Sequence, residues 1–86
     1  MKMPKIFARM FNSDGVFYFA DWKKDMFYAI VRFLQDNSME IESRYCGTPD
    51  SPDCFARVAT YFHTPEGTYK ALYNGDKHGF EYLARV

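Results

Sequence analysis

An excess of charge of either sign is absent from this sequence. Its 86 residues carry eleven Lys and Arg against eleven Asp and Glu, so the formal net charge is zero. Nucleic acids and anionic membranes attract proteins with a positive excess, and a mimic of DNA needs a negative one. Overall charge therefore favours none of these three roles.

Long apolar runs and cysteines are also scarce. No apolar segment approaches the roughly 18 residues that suggest a membrane span, and charged residues interrupt the start too closely for a signal peptide. The two cysteines, Cys46 and Cys54, are too few for a disulfide-rich secreted scaffold. We expect a cytoplasmic protein with reduced thiols and no membrane partner; a disulfide between Cys46 and Cys54 is the alternative.

Apolar and aromatic side chains are abundant, at 48% and 20% of the sequence. Disordered chains are poor in aromatic residues, so this composition predicts a packed core. The length corresponds to one domain, which we expect to span residues 1–86 as a stand-alone gene product.

The first part of the chain predicts a hairpin followed by a helix. Residues 5–11 and 16–20 flank Asn12-Ser13-Asp14-Gly15, a sequence typical of a tight turn between strands. Residues 22–36 then place apolar side chains at helical spacing. The stripe that we expect to form the core consists of Trp22, Met26, Phe27, Ile30, Phe33 and Leu34.

The remainder predicts four strands. Thr64-Pro65-Glu66-Gly67 is a hairpin signal, and the segments around it are rich in Val, Thr, Tyr and Phe. A helix over 55–63 is the alternative, because apolar residues in that segment also recur at helical spacing. The predicted strands are 39–46, 55–63, 67–73 and 80–86.

These elements predict an α+β fold: a bent antiparallel sheet of five to six strands in the order β-β-α-β-β-β-β, with one amphipathic helix packed on it. A helix is about 10 Å across, and neighbouring strands lie about 4.8 Å apart. Because one helix covers only about half of such a face, we expect the sheet to curl, to pack against another copy or to offer a face to a partner.

Alternation along the strands predicts a binding face. With the register set by the turn at 64–67, the expected core positions are Val58, Thr60, Phe62 and Leu72. The expected binding face consists of Arg57, Tyr61, His63, Tyr69 and Tyr73. Tyrosine and arginine are enriched in binding hot spots; ordinary packing of tyrosines across strands is the alternative.

Sequence motifs for catalysis or cofactor binding are absent. There is no glycine-rich phosphate loop, dinucleotide fingerprint or nucleophile elbow. Cys54 with His63 lacks any supporting motif, and Glu40 and Glu42 fit the protective charges of an exposed strand. A zinc site would have to use Cys46, Cys54, His63 and His78, which lack a closely spaced cysteine pair. We predict neither an enzyme nor a metal or cofactor site.

We therefore expect a non-catalytic protein-binding module, acting as a stoichiometric inhibitor or adaptor of a larger protein or complex, with the 47–53 loop at the rim of its binding face. Small proteins without motifs are often phage or mobile-element products that act on host machinery. One alternative is a single-stranded nucleic-acid-binding domain that stacks bases on an aromatic sheet face, with Arg57, Lys70 and Arg85 near the phosphates. The other is a structural homodimer.

Overall fold

The structure, a computed structural model, describes residues 2–45 and 57–86, which form an antiparallel sheet with helices on one face. Its five strands follow the spatial order β1-β5-β4-β3-β2. The predicted α+β class is confirmed. The elements in chain order are α1 (Lys5–Ala8), β1 (Val16–Tyr18), a 3₁₀ turn (Asp21–Lys23), α2 (Lys24–Asn37), β2 (Glu40–Tyr45), β3 (Arg57–Thr64), β4 (Gly67–Asn74) and β5 (Gly79–Arg85).

The predicted strand at 5–11 is wrong, because this segment begins with the short helix α1. The carbonyl of Pro4 accepts hydrogen bonds from the amides of Phe7 and Ala8, both at 3.0 Å. The place beside β1 that a hairpin partner would occupy is taken by β5, which pairs with β1 over its whole length. The element order therefore begins with a helix and not with a strand.

The turn predicted at Asn12 to Gly15 does form, although it joins a helix to a strand. The side-chain oxygen of Asn12 accepts bonds from the amides of Asp14 at 2.9 Å and Val16 at 3.0 Å. Gly15 has φ 77°, a left-handed conformation that favours glycine. The turn chemistry was predicted correctly, and the element before it was not.

Helix α2 supplies the centre of the core. Phe27, Ile30 and Leu34 are fully buried at positions i, i+3 and i+7, as the apolar stripe predicts. Trp22 does not belong to that stripe: it lies in the 3₁₀ turn and is 81% exposed. Because a 3₁₀ turn has three residues per turn and not 3.6, extending the helical period back to Trp22 gave the wrong direction for its side chain.

We call the side of the sheet that packs against the helices the helical face and the opposite side the outer face. The helical face contributes Phe17, Phe62, Ala71 and Leu83 to the cluster that contains the buried residues of α2. From α1, Phe7 reaches this layer, its ring centroid 5.5 Å from that of Phe33. No helix in residues 2–45 or 57–86 packs on the outer face.

Strand β2 extends beyond the cover that the helices give. Ile41 is 44% exposed and Tyr45 73%, although both lie on the helical face. Met39, just before the strand, is 72% exposed. Both faces of this strand therefore meet solvent, because α2 covers the sheet only as far as β3.

Candidate functional site

The register of β3 and β4 divides the predicted binding face between the two sides of the sheet. Pro65 and Glu66 form a two-residue loop, with Thr64 opposite Gly67. Directly opposed residues share a face, so Tyr69 lies with Phe62 and Tyr73 lies with Val58 on the helical face. The expected grouping of Tyr69 and Tyr73 with Arg57, Tyr61 and His63 is therefore wrong. Leu72 is buried, as predicted for a core position, but it lies on the outer face and not with Phe62. A shift of one residue reverses the direction of every side chain in a strand.

Tyr69 and Tyr73 contribute to packing under the helices. The ring centroid of Tyr69 is 5.9 Å from that of Phe11, and its hydroxyl lies 4.0 Å from the sulfur of Met3. The ring centroid of Tyr73 is 5.2 Å from that of Phe80 in an edge-to-face contact. The ordinary alternative, cross-strand packing, applies to Tyr73, whereas Tyr69 packs against residues that precede β1.

The outer face retains Arg57, Tyr61 and His63 and adds an aromatic pair. Tyr18 of β1 and Tyr82 of β5 are directly opposed, with ring centroids 6.3 Å apart. We call Tyr18, Tyr61 and Tyr82 the outer tyrosines. Tyr18 and Tyr82 were not among the predicted site residues, because their contact depends on pairing between the first and last strands, for which the sequence carries no local signal.

Two cations lie against the rings of the outer tyrosines. The ammonium group of Lys70 is 5.5 Å from the ring centroid of Tyr82, and the guanidinium carbon of Arg44 is 4.8 Å from that of Tyr61. Both distances are within the range of cation–π attraction. Tyr61 and Tyr82 are partly exposed, and Tyr18 is 64% exposed.

Glu42 joins Arg44 and His63 at the β2 end of the outer face. Its Oε1 accepts a 2.7 Å bond from Nε2 of His63 and a 2.9 Å bond from Nη2 of Arg44. Nδ1 of His63 lies 3.0 Å from the Thr68 hydroxyl, so one proton on Nε2 satisfies both ring nitrogens. The bonds from His63 and then Arg44 hold the pKa of Glu42 below its ordinary value.

Glu81 of β5 also lies between two cationic side chains, those of Arg57 and Lys77. Leu72 is opposite Tyr82 and Tyr73 is opposite Phe80, so Glu81 is the extra residue of a β-bulge. Its carboxylate lies 3.4 Å from Nε of Arg57 and 3.7 Å from Nζ of Lys77. It also accepts a 3.3 Å bond from the side-chain amide of Asn74, which is 5% exposed.

A groove of about 470 Å³ opens where β1 ends and β5 bulges. It borders the outer face, since both residues of the aromatic pair line it. Glu81 and Lys77 place one charge of each sign on its wall. Its lining residues are Tyr18, Phe19, Lys77, Phe80, Glu81 and Tyr82.

Some of the expected site lies outside the described residues: Cys46, Cys54 and the 47–53 loop, and with them the zinc and disulfide alternatives. In the part of the chain that is described, no three His, Cys, Asp or Glu side chains are grouped to hold a metal ion. None of its helices has the length and apolar character needed to cross a membrane.

Comparison with known proteins gives no match to a family model, to a curated protein or to a solved structure.

Proposed function

We propose that this chain is a non-catalytic protein-binding module and that it binds its partner through the outer face. In this role it occludes a surface of a larger protein or complex, as a stoichiometric inhibitor or adaptor. The outer tyrosines are the anchors, and the groove beside Tyr18 and Tyr82 receives a side chain of the partner.

The observation that carries this proposal is an aromatic face on which most of the neighbouring charges already lie beside an opposite charge. Glu42 is bonded to Arg44 and His63, and Glu81 lies beside Arg57 and Lys77. A partner that covers this face therefore meets rings and charges that already lie beside an opposite charge, and such charges cost less to desolvate than isolated ones. Tyrosine buries a large area at low entropic cost and keeps a polar tip, as hot-spot residues do.

The same pairing favours a protein over single-stranded nucleic acid. Stacking of bases needs exposed rings, which the outer tyrosines offer. Affinity for the phosphates, however, comes from protein cations that displace salt ions from the nucleic-acid backbone. Arg44 and Arg57 already face carboxylates at 2.9 and 3.4 Å. Arg85, which the nucleic-acid alternative also places near the phosphates, is not on the outer face. It lies over the ring of Phe11 on the helical face.

The test compares capture of a partner by wild type with capture by two substituted chains. Tyr61→Ala and Tyr82→Ala each remove one anchor, and alanine truncation of a hot-spot residue costs about 2 kcal/mol or more in binding. We expect proteins retained by immobilised wild type to be lost from both variants, with circular dichroism and the unfolding midpoint showing that both remain folded.

Trp22→Ala is the matched control, because Trp22 is a large, 81% exposed aromatic residue outside the outer face. Its capture of the same protein is expected to equal that of wild type. Retained capture by Tyr61→Ala and Tyr82→Ala, or loss confined to Trp22→Ala, would move the binding surface away from the outer face. Salt-sensitive retention of oligonucleotides by wild type would favour the nucleic-acid alternative instead.

A further inference from the structure

Strand β2 is the edge of the sheet that carries exposed apolar side chains. Within the described residues it pairs only with β3, so its other side offers unpaired backbone groups to a further strand. Its side chains alternate: Glu40, Glu42 and Arg44 lie on the outer face, and Ile41, Ser43 and Tyr45 on the helical face. The opposite edge, β1, is only three residues long.

We propose that β2 pairs with β2 of a second copy of this chain, antiparallel and centred on Ser43. A two-fold axis perpendicular to the sheet then places Ser43 opposite its counterpart. Glu42 of each copy faces Arg44 of the other, and Ile41 of each faces Tyr45 of the other. The two sheets become one, with both outer faces on the same side.

Charge complementarity selects this register. Opposite charges directly across a strand pair stabilise it, and like charges destabilise it. Moving the axis one residue, to Glu42, still places Glu40 opposite Arg44, but it also places the Glu42 carboxylate opposite its own counterpart and leaves Ile41 facing Ser43. Charges on an edge strand usually prevent pairing with foreign strands; in the Ser43-centred register these same charges favour a second copy.

Exposed apolar side chains of β2 on the helical face also favour this dimer. Ile41 and Tyr45 are 44% and 73% exposed because α2 covers the sheet only as far as β3. In the Ser43-centred dimer Ile41 of each copy packs on Tyr45 of the other, an aromatic–β-branched pair of the kind that stabilises sheets. The contact is small, so we expect an association that depends on protein concentration.

Sedimentation velocity over a wide range of concentrations tests the proposal on three chains. Wild type is expected to dimerise. Arg44→Glu makes both cross-axis pairs repulsive and is expected to raise the dissociation constant at least about tenfold. The charge swap Glu42→Arg with Arg44→Glu restores opposite charges across the axis and is expected to restore the dimer. In the Glu42-centred register the same swap gives only like pairs and dimerisation is lost.

A disulfide at the axis provides a second measurement that does not depend on a charge. Opposed residues in an antiparallel pair have Cα atoms about 4.5–5.5 Å apart, within the range of about 4.4–6.8 Å that a disulfide spans. In a chain carrying Cys46→Ser and Cys54→Ser, Ser43→Cys is expected to oxidise to a covalent dimer. Ser13→Cys, exposed in the turn before β1, is the matched control and is expected to remain mostly monomeric.

A monomer at every concentration, a dimer insensitive to Arg44→Glu, or equal oxidation of the two cysteine variants would overturn the proposal. If Arg44→Glu abolishes the dimer and the charge swap does not restore it, the Ser43-centred register is overturned. None of these readings uses a captured partner, so failure here leaves the proposed binding role of the outer face to its own test.

Discussion

Oε1 of Glu42 lies 2.7 Å from Nε2 of His63, across the pair of strands β2 and β3. Because the bonds from His63 and Arg44 lower the pKa of Glu42 in the folded state, they add stability at pH values above the unfolded pKa. That contribution is lost as the pH falls through the folded value.

Glu42→Gln is therefore expected to lower stability at neutral pH and to match wild type in acid, where the wild-type carboxyl is protonated. Urea unfolding measured from neutral pH to about pH 3 would show the two curves converge below the ordinary glutamate pKa of about 4.3. Glu40→Gln removes a charge from the same strand without affecting these bonds, and its difference from wild type is expected to change little with pH. A difference for Glu42→Gln that is constant across this range would contradict the assignment.

Trp22 and Leu34 give opposite expectations for the same change to alanine. Leu34 is fully buried and Trp22 is 81% exposed. Leu34→Ala is expected to lower the free energy of unfolding by about 2–5 kcal/mol, because it leaves a cavity, whereas Trp22→Ala is expected to stay within about 0.5 kcal/mol of wild type. Denaturant unfolding measures both, and a large loss for Trp22→Ala would return that residue to the core.

Substituting alanine at Gly15 and at Gly79 separates the stability cost of a left-handed backbone from the cost of adding a side chain. Gly15 has φ 77°, and a Cβ there would meet Arg85 only at 3.6 Å, an ordinary contact. Gly15→Ala is therefore expected to cost about 1–2 kcal/mol through its left-handed backbone alone. Gly79→Ala, in β5 and without such a backbone, is expected to be neutral or slightly stabilising. Equal effects in thermal unfolding would contradict this reading.

Asn74 holds the turn between β4 and β5 from a buried position. Its side-chain oxygen accepts bonds from the amides of Asp76 at 3.0 Å and Lys77 at 3.4 Å, and its amide donates to Glu81. Asn74→Ala is expected to cost about 1–3 kcal/mol, because it leaves buried groups without partners.

Asn74→Asp is the matched variant, since it keeps the acceptor for the turn but places a second carboxylate against Glu81. Its deficit relative to wild type is expected to be present at neutral pH and to shrink toward about pH 4, where one of the two carboxyls takes up a proton. A deficit that does not change with pH would mean that Glu81 is not its neighbour in solution.

Local patterns in the sequence were sufficient to predict the elements whose form depends on residues close together in the chain. The spacing of Phe27, Ile30 and Leu34 identified α2, and Thr64-Pro65-Glu66-Gly67 identified the hairpin of β3 and β4. The strand predicted over 55–63 is confirmed from Arg57 onward; its first two residues lie outside the described residues.

The errors arose where one residue or one distant strand decides the outcome. The loop of Pro65 and Glu66 has an even number of residues, and this places Tyr69 opposite Phe62 and not with Tyr61. The segment at 5–11 alternates as a strand does, but β5 takes the position beside β1. The Tyr18–Tyr82 pair follows from that same distant contact.

The position of β5 between β1 and β4 also has a consequence for the order of folding. The first strand is made early, yet it finds its only described neighbour in the sheet among the last residues of the sequence. Closing so long a loop costs entropy before any contact offsets it, so we expect β3 and β4 to form first and β1 to dock late. During synthesis Phe17 and Tyr18 therefore remain unpaired with β5 until Leu83 has emerged from the ribosome.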